Sequence, residues 1–139
     1  KIKTIGDAFM CAGGLPVPNF THPVDAVLAA LKMFEWLEKR NADNPKAIFR
    51  DMRIGIHIGP VIGGVVGKNK FAFDIWGDAV NLASRLEELG EPGRVNISKV
   101  TYEAVKHRFS CEYRGKKEVH NKGLVDMYFI VEEIAVPVS

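Results

Sequence analysis

The run Asp74-Ile-Trp-Gly-Asp-Ala-Val-Asn-Leu-Ala-Ser-Arg85 holds the residue types of a nucleotide site in an order that a helix can use. A carboxylate precedes a glycine turn; an amide and a guanidinium, Asn81 and Arg85, follow four residues apart. Residues at that spacing share one helix face. A helix N-terminus also favours anions, through its free N–H groups and its dipole. An aspartate for a base edge, an amide for a sugar and an arginine for phosphate fit a single ligand. The same run also reads as a turn and an amphipathic helix, with Arg85 paired to Glu88 on the surface.

Two further groups carry chemistry. In Lys3-Thr-Ile-Gly-Asp7 an aspartate stands at a tight turn after glycine. Aspartate is a common turn former, and a rigid hairpin tip is equally a good mount for a metal carboxylate. Magnesium and manganese take oxygen ligands, usually one or two protein carboxylates with phosphates supplying the rest. In Val119-His-Asn-Lys-Gly123 a cation, Lys122, near a turn could meet a phosphate, although lysine is also commonplace in β-turns.

The elements that must position these groups can be read from pattern. Lys1–Thr4 and Ala8–Cys11 read as a hairpin around the Ile-Gly-Asp turn, ended by the Gly13–Pro18 cluster. Val24, Val27, Leu28, Leu31, Phe34 and Leu37 recur at helical spacing from Pro23 to Arg40. Thr21 or His22 would cap that helix, and Asn41–Pro45 would close it. Strands are expected at Met52–Ile58, Ile62–Val66 and Phe71–Ile75, then a helix to about Leu89 stopped by Gly90 and Pro92. A short strand at Val95–Ile97 leads to a helix capped by Ser98 and running to about His107. The last third reads as three strands, Cys111–Tyr113, Lys117–His120 and Met127–Val131. Hairpins with helices between them predict an α+β domain, a mostly antiparallel sheet with helices packed on it.

Bulk properties narrow the class. At 139 residues the chain is one domain, and 47% hydrophobic content is enough for a real core. A net charge of +2 without a basic stripe gives no case for nucleic acid. No stretch approaches the ~20 apolar residues of a membrane span. Cys11 and Cys111 lack metal or redox spacing and are expected to be buried, reduced thiols, which fits a cytoplasmic setting. His57, on an alternating strand, is expected to be a sheet residue.

Three stretches, Lys-Ile-Lys-Thr-Ile-Gly-Asp-Ala-Phe-Met…Gly-Leu-Pro (1–16), Arg-Ile-Gly-Ile-His-Ile-Gly-Pro-Val…Gly-Val-Val-Gly (53–67) and Asp74 to Arg85, resemble the class III nucleotide cyclase catalytic domain, in its order and spacing. The likeness runs to about Glu133, leaving 135–139 as a tail. It implies a ferredoxin-like, palm-type α+β fold. It matches Asp7 to one of two metal-binding aspartates for Mg2+ or Mn2+, and Lys3 and Asp74 to the pair that selects the base. It matches Asn81 to the residue that orients the ribose and Arg85 to the one that holds the phosphate. Members of the family act as head-to-tail dimers with sites at the interface, so the resemblance implies a homodimer or a cyclase-domain partner. One chain then supplies the metal aspartates and the other the base pair, Asn and Arg.

The base can be argued chemically. Adenine offers an amino donor at N6 and an acceptor at N1, which an aspartate and a lysine complement. Guanine reverses both, and a site built on hydrogen bonds rejects a mismatch strongly. Guanylyl cyclases of the family carry a glutamate and typically a cysteine at these places, so the chain reads as an adenylyl cyclase acting on ATP. Two departures stand out. The family's first strand and helices, with the other metal aspartate, would lie upstream of Lys1, so the chain reads as an N-terminally truncated domain, inactive by itself and exposing apolar surface. Where the family often has a phosphate-binding lysine this chain has His120, with Lys122 two residues on; alternation on a strand would put both on one face. A non-catalytic nucleotide-binding or dimerisation module of the same fold is the alternative.

Overall fold

The computed structural model describes residues 1–15, 17–47 and 50–135. Pro16 of the expected strand-ending cluster and 136–139 of the expected tail lie outside the described residues. The expected α+β architecture is present. Its centre is a four-stranded sheet of order β3-β6-β8-β7, built from β3 (Ile54–Ile56), β6 (Val95–Ser98), β7 (Phe109–Val119) and β8 (Gly123–Glu133). β3 and β6 pair in parallel and the remaining pairs are antiparallel. Two separate hairpins, β1 (Lys3–Ile5) with β2 (Ala8–Met10) and β4 (Ile62–Val66) with β5 (Ala72–Trp76), complete the strands.

Strand β6 is buried along its whole length and organises both layers. Val95 and Ile97, two apart, share one face of a strand. They join Val27 and Ala30 of α1 (His22–Asp43), Val105 of α3 (Lys99–Val105), Phe109 and Ile130 in the main core. Asn96 turns the other way, and its Nδ2 donates to the Leu86 carbonyl of α2 (Asp78–Glu88) at 2.9 Å. Leu86 there packs with Val119 and Met127 in a second cluster. The sheet is thus covered by α1 and α3 on one side and by α2 on the other.

The seat of α2 is set by a missing side chain. A Cβ at Gly55 of β3 would lie 2.3 Å from the Glu87 nitrogen and 2.7 Å from the Ala83 oxygen. Backbone meets backbone there, so only glycine lets the helix lie this low on the sheet.

The structure revises several expectations. α1 extends to Asp43 because Asn41 donates its side-chain amide to the Arg50 carbonyl at 2.8 Å, so it does not compete with the helix backbone. Thr21 occupies the N-cap without a capping bond, its hydroxyl donating to Asp25 instead. β3 is shorter than Met52–Ile58. Cys111–Tyr113 and Lys117–His120 are one continuous strand, β7, carried past Gly115 (φ +88°) by a register shift. Cys11 is exposed and Cys111 half-buried, both free thiols. Among the described residues the β1–β2 hairpin pairs with no other strand, and Cys11, Ile5 and Phe9 are exposed. Burial raises the Cys111 thiol pKa, which keeps it protonated and inert.

His57 follows β3, half-buried, with Nδ1 2.6 Å from the Ser98 hydroxyl. Ser98 caps α3 by accepting the Thr101 N–H and touches the Thr101 hydroxyl at 3.0 Å. Burial, and then the Lys122 charge, lower the His57 pKa from its ordinary 6.5. Folded His57 therefore binds a proton less readily than it does in the unfolded chain. Its neutral form supports the fold above about pH 6.5, and stability declines as pH falls below that value.

Two outcomes follow. Gly55→Ala should lower unfolding stability by about 1–3 kcal/mol, the usual cost of overpacking, read as a reduced urea midpoint; an unchanged midpoint would refute the close seat of α2. His57→Asn should flatten the loss of stability between about pH 7.5 and about pH 5.5. An equal loss in both proteins would place the acid sensitivity elsewhere.

Candidate active site

Each site residue predicted from sequence sits on an element with a local reason for its shape. Lys3 and Asp7 ride on the β1–β2 hairpin, whose two-residue turn is Gly6-Asp7 with Gly6 at φ +58°. A positive φ at the first turn position matches the strand twist and favours glycine. Asp74 lies on β5 opposite Gly64, where no facing side chain crowds it. Gly77 (φ +131°) breaks β5 and opens α2, which carries Asn81 and Arg85 one turn apart on its exposed side.

Lys3 and Asp74 meet. Lys3 Nζ donates to Asp74 Oδ2 at 3.0 Å across 71 residues, joining the two hairpins. The other carboxylate oxygen accepts the Ile75 N–H at 2.8 Å. The Lys3 hydrogen bond holds the Asp74 carboxyl below its ordinary pKa; desolvation opposes this and the Ile75 N–H adds to it. Asp74 is thus an ionised, acceptor-only group beside a donor-only ammonium.

A second grouping forms around α2. Asp78, Asn81 and Arg85 of the helix face His120, Asn121 and Lys122 of the β7–β8 turn across a cleft of about 350 Å³. The strand alternation expected for His120 and Lys122 does not apply, because β7 ends at Val119. Asn121, at φ +66°, instead turns the chain, and both residues reach the same cleft. Asparagine tolerates that left-handed conformation better than most residues.

The cations in this cleft are occupied. Arg85 Nη1 bonds Glu88 Oε2 at 2.7 Å, the surface pairing already legible as an alternative in the sequence. Lys122 Nζ pairs with Asp78 Oδ2. Asp78 is the residue that the sequence did not single out: an acid in a first helical turn is ordinary, and its partner lies 44 residues away.

Asp7 stands apart on the exposed tip of its hairpin. Among the described residues no group of three or more His, Cys, Asp and Glu side chains gathers to hold a metal. His57, expected to be a sheet residue, lies just past the end of β3, half-buried and bonded to Ser98. Among the described residues no helix is long and apolar enough to cross a membrane.

Comparison with known proteins completes the description. Residues 1–132 match the model of the adenylate and guanylate cyclase catalytic domain. The chain is 39% identical over 136 residues to the guanylate cyclase soluble subunit beta-2 of Rattus norvegicus, covering 96% of this chain and 20% of that protein. It is 34% identical over 131 residues to an adenylate cyclase of Mycobacterium tuberculosis, covering 94% of this chain and 29% of that one. It thus spans less than a third of either relative. The guanylate cyclase domain of RhGC from Catenaria anguillulae, solved in complex with GTP, matches with a TM-score of 0.85 at 30% identity, over 96% of this chain and 72% of that chain. On its motifs, its fold and these matches, the chain belongs to the adenylate and guanylate cyclase catalytic domain family.

Proposed function

We propose that the chain is the catalytic domain of an adenylyl cyclase, converting ATP to cyclic AMP and pyrophosphate. The observation that carries the base choice is the Lys3–Asp74 pair at 3.0 Å. Relatives of both base specificities lie at comparable identity, so likeness alone does not choose; the hydrogen-bonding chemistry of the pair supports ATP. The Lys3 ammonium donates to adenine N1, and the ionised Asp74 accepts from the N6 amino group. Guanine at the same two groups sets donor against donor and acceptor against acceptor. Each mismatch left in a desolvated site costs about 1–3 kcal/mol.

In the reaction the ribose 3′-hydroxyl gives its proton to water, from which the departing pyrophosphate can take it up, and its oxygen attacks the α-phosphorus. The bond to the β-phosphate oxygen breaks, and pyrophosphate leaves with that electron pair. Asn81 holds the ribose so that the 3′-oxygen is aligned with the bond that breaks. Arg85, one turn along the same helix face, neutralises charge growing on the phosphate oxygens. Lys122 takes the terminal phosphates. Asp7 offers a hard carboxylate oxygen on a rigid turn, a donor that suits Mg2+ or Mn2+ with phosphates completing the shell. A divalent cation held there supplies positive charge against the phosphate anions.

The reading includes a head-to-tail homodimer or a cyclase-domain partner. The two hairpins bearing Lys3, Asp7 and Asp74 expose Ile5, Phe9, Ile62, Val65, Phe71 and Phe73, each at least 40% accessible. Exposed apolar residues gathered on the elements that bear a site are what an interface requires. Asp7 then completes the partner's site while Lys3, Asp74, Asn81 and Arg85 serve their own.

The test is product formation from ATP and from GTP, each with Mn2+, by the protein at its full natural length. Cyclic AMP with little cyclic GMP is expected, and Asp7→Ala should abolish it. A folded, dimeric protein that yields neither product would refute the enzyme and leave a nucleotide-binding module. The double variant Lys3→Glu with Asp74→Cys should move the preference towards GTP, with ATP turnover falling by a factor of about 5 to 150 for each mismatched group. Retention of full ATP preference would show that another pair reads the base.

A further inference from the structure

Both cations facing the α2 cleft are engaged by carboxylates of the chain itself. Arg85 is held by Glu88 one turn along the helix, and Lys122 by Asp78 at the helix start. With both pairs closed, two positive and two negative groups cancel. Neither acid is needed for packing: the Asp78 side chain is 77% and the Glu88 side chain 51% exposed. Exposed ion pairs contribute little to folding, so either can open at small cost when a more highly charged anion arrives. Each nonetheless fixes the direction of a long, flexible side chain that would otherwise sample many rotamers.

We infer that Asp78 and Glu88 are internal counter-ions that occupy Lys122 and Arg85 until a polyphosphate displaces them, and that close again as pyrophosphate leaves. This rests on the reading above that those two cations take phosphates. A carboxylate carries one charge on two oxygens, whereas a polyphosphate offers several charged oxygens and can engage both cations at once, so exchange runs towards the nucleotide. After the reaction the carboxylates compete with the smaller product. Asp78 and Glu88 therefore set how tightly phosphate is held, and they are positioning groups for Lys122 and Arg85.

Sodium pyrophosphate is the probe, titrated calorimetrically into the wild-type chain and its variants at low salt. Asp78→Asn and Glu88→Gln should each tighten binding by about 1.5-fold to fivefold, while Asp78→Glu, which restores the charge, should return Asp78→Asn to near the wild-type value. Structural damage would weaken binding, so the expected change is opposite in sign to misfolding. Arg85→Ala and Lys122→Ala should both weaken it. If the alanine variants weaken binding while Asp78→Asn and Glu88→Gln leave it unchanged or poorer, the counter-ion role is wrong and the phosphate site stands. If the alanine variants bind like the wild type, the phosphate site itself fails, and the counter-ions with it.

Discussion

Helix α2 lies on β3 with nothing between the two backbones at Gly55, and the polar residues of the cleft take their places from that contact. A helix resting on side chains can slide or tilt as those side chains repack; one resting on a backbone has no such freedom. Asn96, fully buried, adds a directional restraint by donating to the Leu86 carbonyl in the last turn. A carbonyl near a helix C-terminus needs a partner from outside the helix, and taking it from the central strand ties helix to sheet. Asn81 and Arg85 then project from a helix held in both height and rotation.

The opposite wall of the cleft is less constrained. It is a three-residue turn between β7 and β8, held by their long pairing and by Asn121 in the left-handed region. Its lysine is aimed by an ion pair with Asp78. A rigid helix facing a turn aimed by charge divides the work in a useful way. Asn81 and Arg85 are held by the seat of their helix, whereas Lys122 is directed by its partner Asp78. Elsewhere, half-buried His57 and buried Ser98 and Thr101 form a hydrogen-bonded chain that fastens the end of β3 to the start of α3.

What the sequence disclosed was mainly what local chemistry decides. The Gly6-Asp7 turn, the Ile62–Val66 strand, the Ser98 cap and the helix through Asn81 and Arg85 each follow from a few neighbouring residues, and all appear where expected. The errors arose where distant groups decide. Asn41 looked like a helix stop until Arg50 supplied a carbonyl for its side chain. The charged stretch around Gly115 looked like a break, but pairing with β8 carries the strand through a bulge. Cys11 looked buried because its neighbours are apolar, although its hairpin has no covering layer. The Asp78–Lys122 pair was invisible for the same reason: neither residue is unusual until the sheet brings the β7–β8 turn over the start of α2.

The Lys3–Asp74 pair shows why such a site is hard to change piecemeal. It joins two hairpins that share no backbone ladder among the described residues, so it acts as a clip between them. Removing the lysine alone leaves Asp74 without the donor on its Oδ2, and loosens the hairpin bearing Lys3 and Asp7 together. Removing the aspartate alone releases the part-exposed Lys3 ammonium to solvent and unties the same two hairpins. A single substitution therefore disturbs the hydrogen bond and the geometry of both hairpins at once. A paired replacement that keeps one donor and one acceptor in contact preserves the clip. The two hairpins are thus coupled through one 3.0 Å hydrogen bond, and the two side chains act as a pair rather than singly.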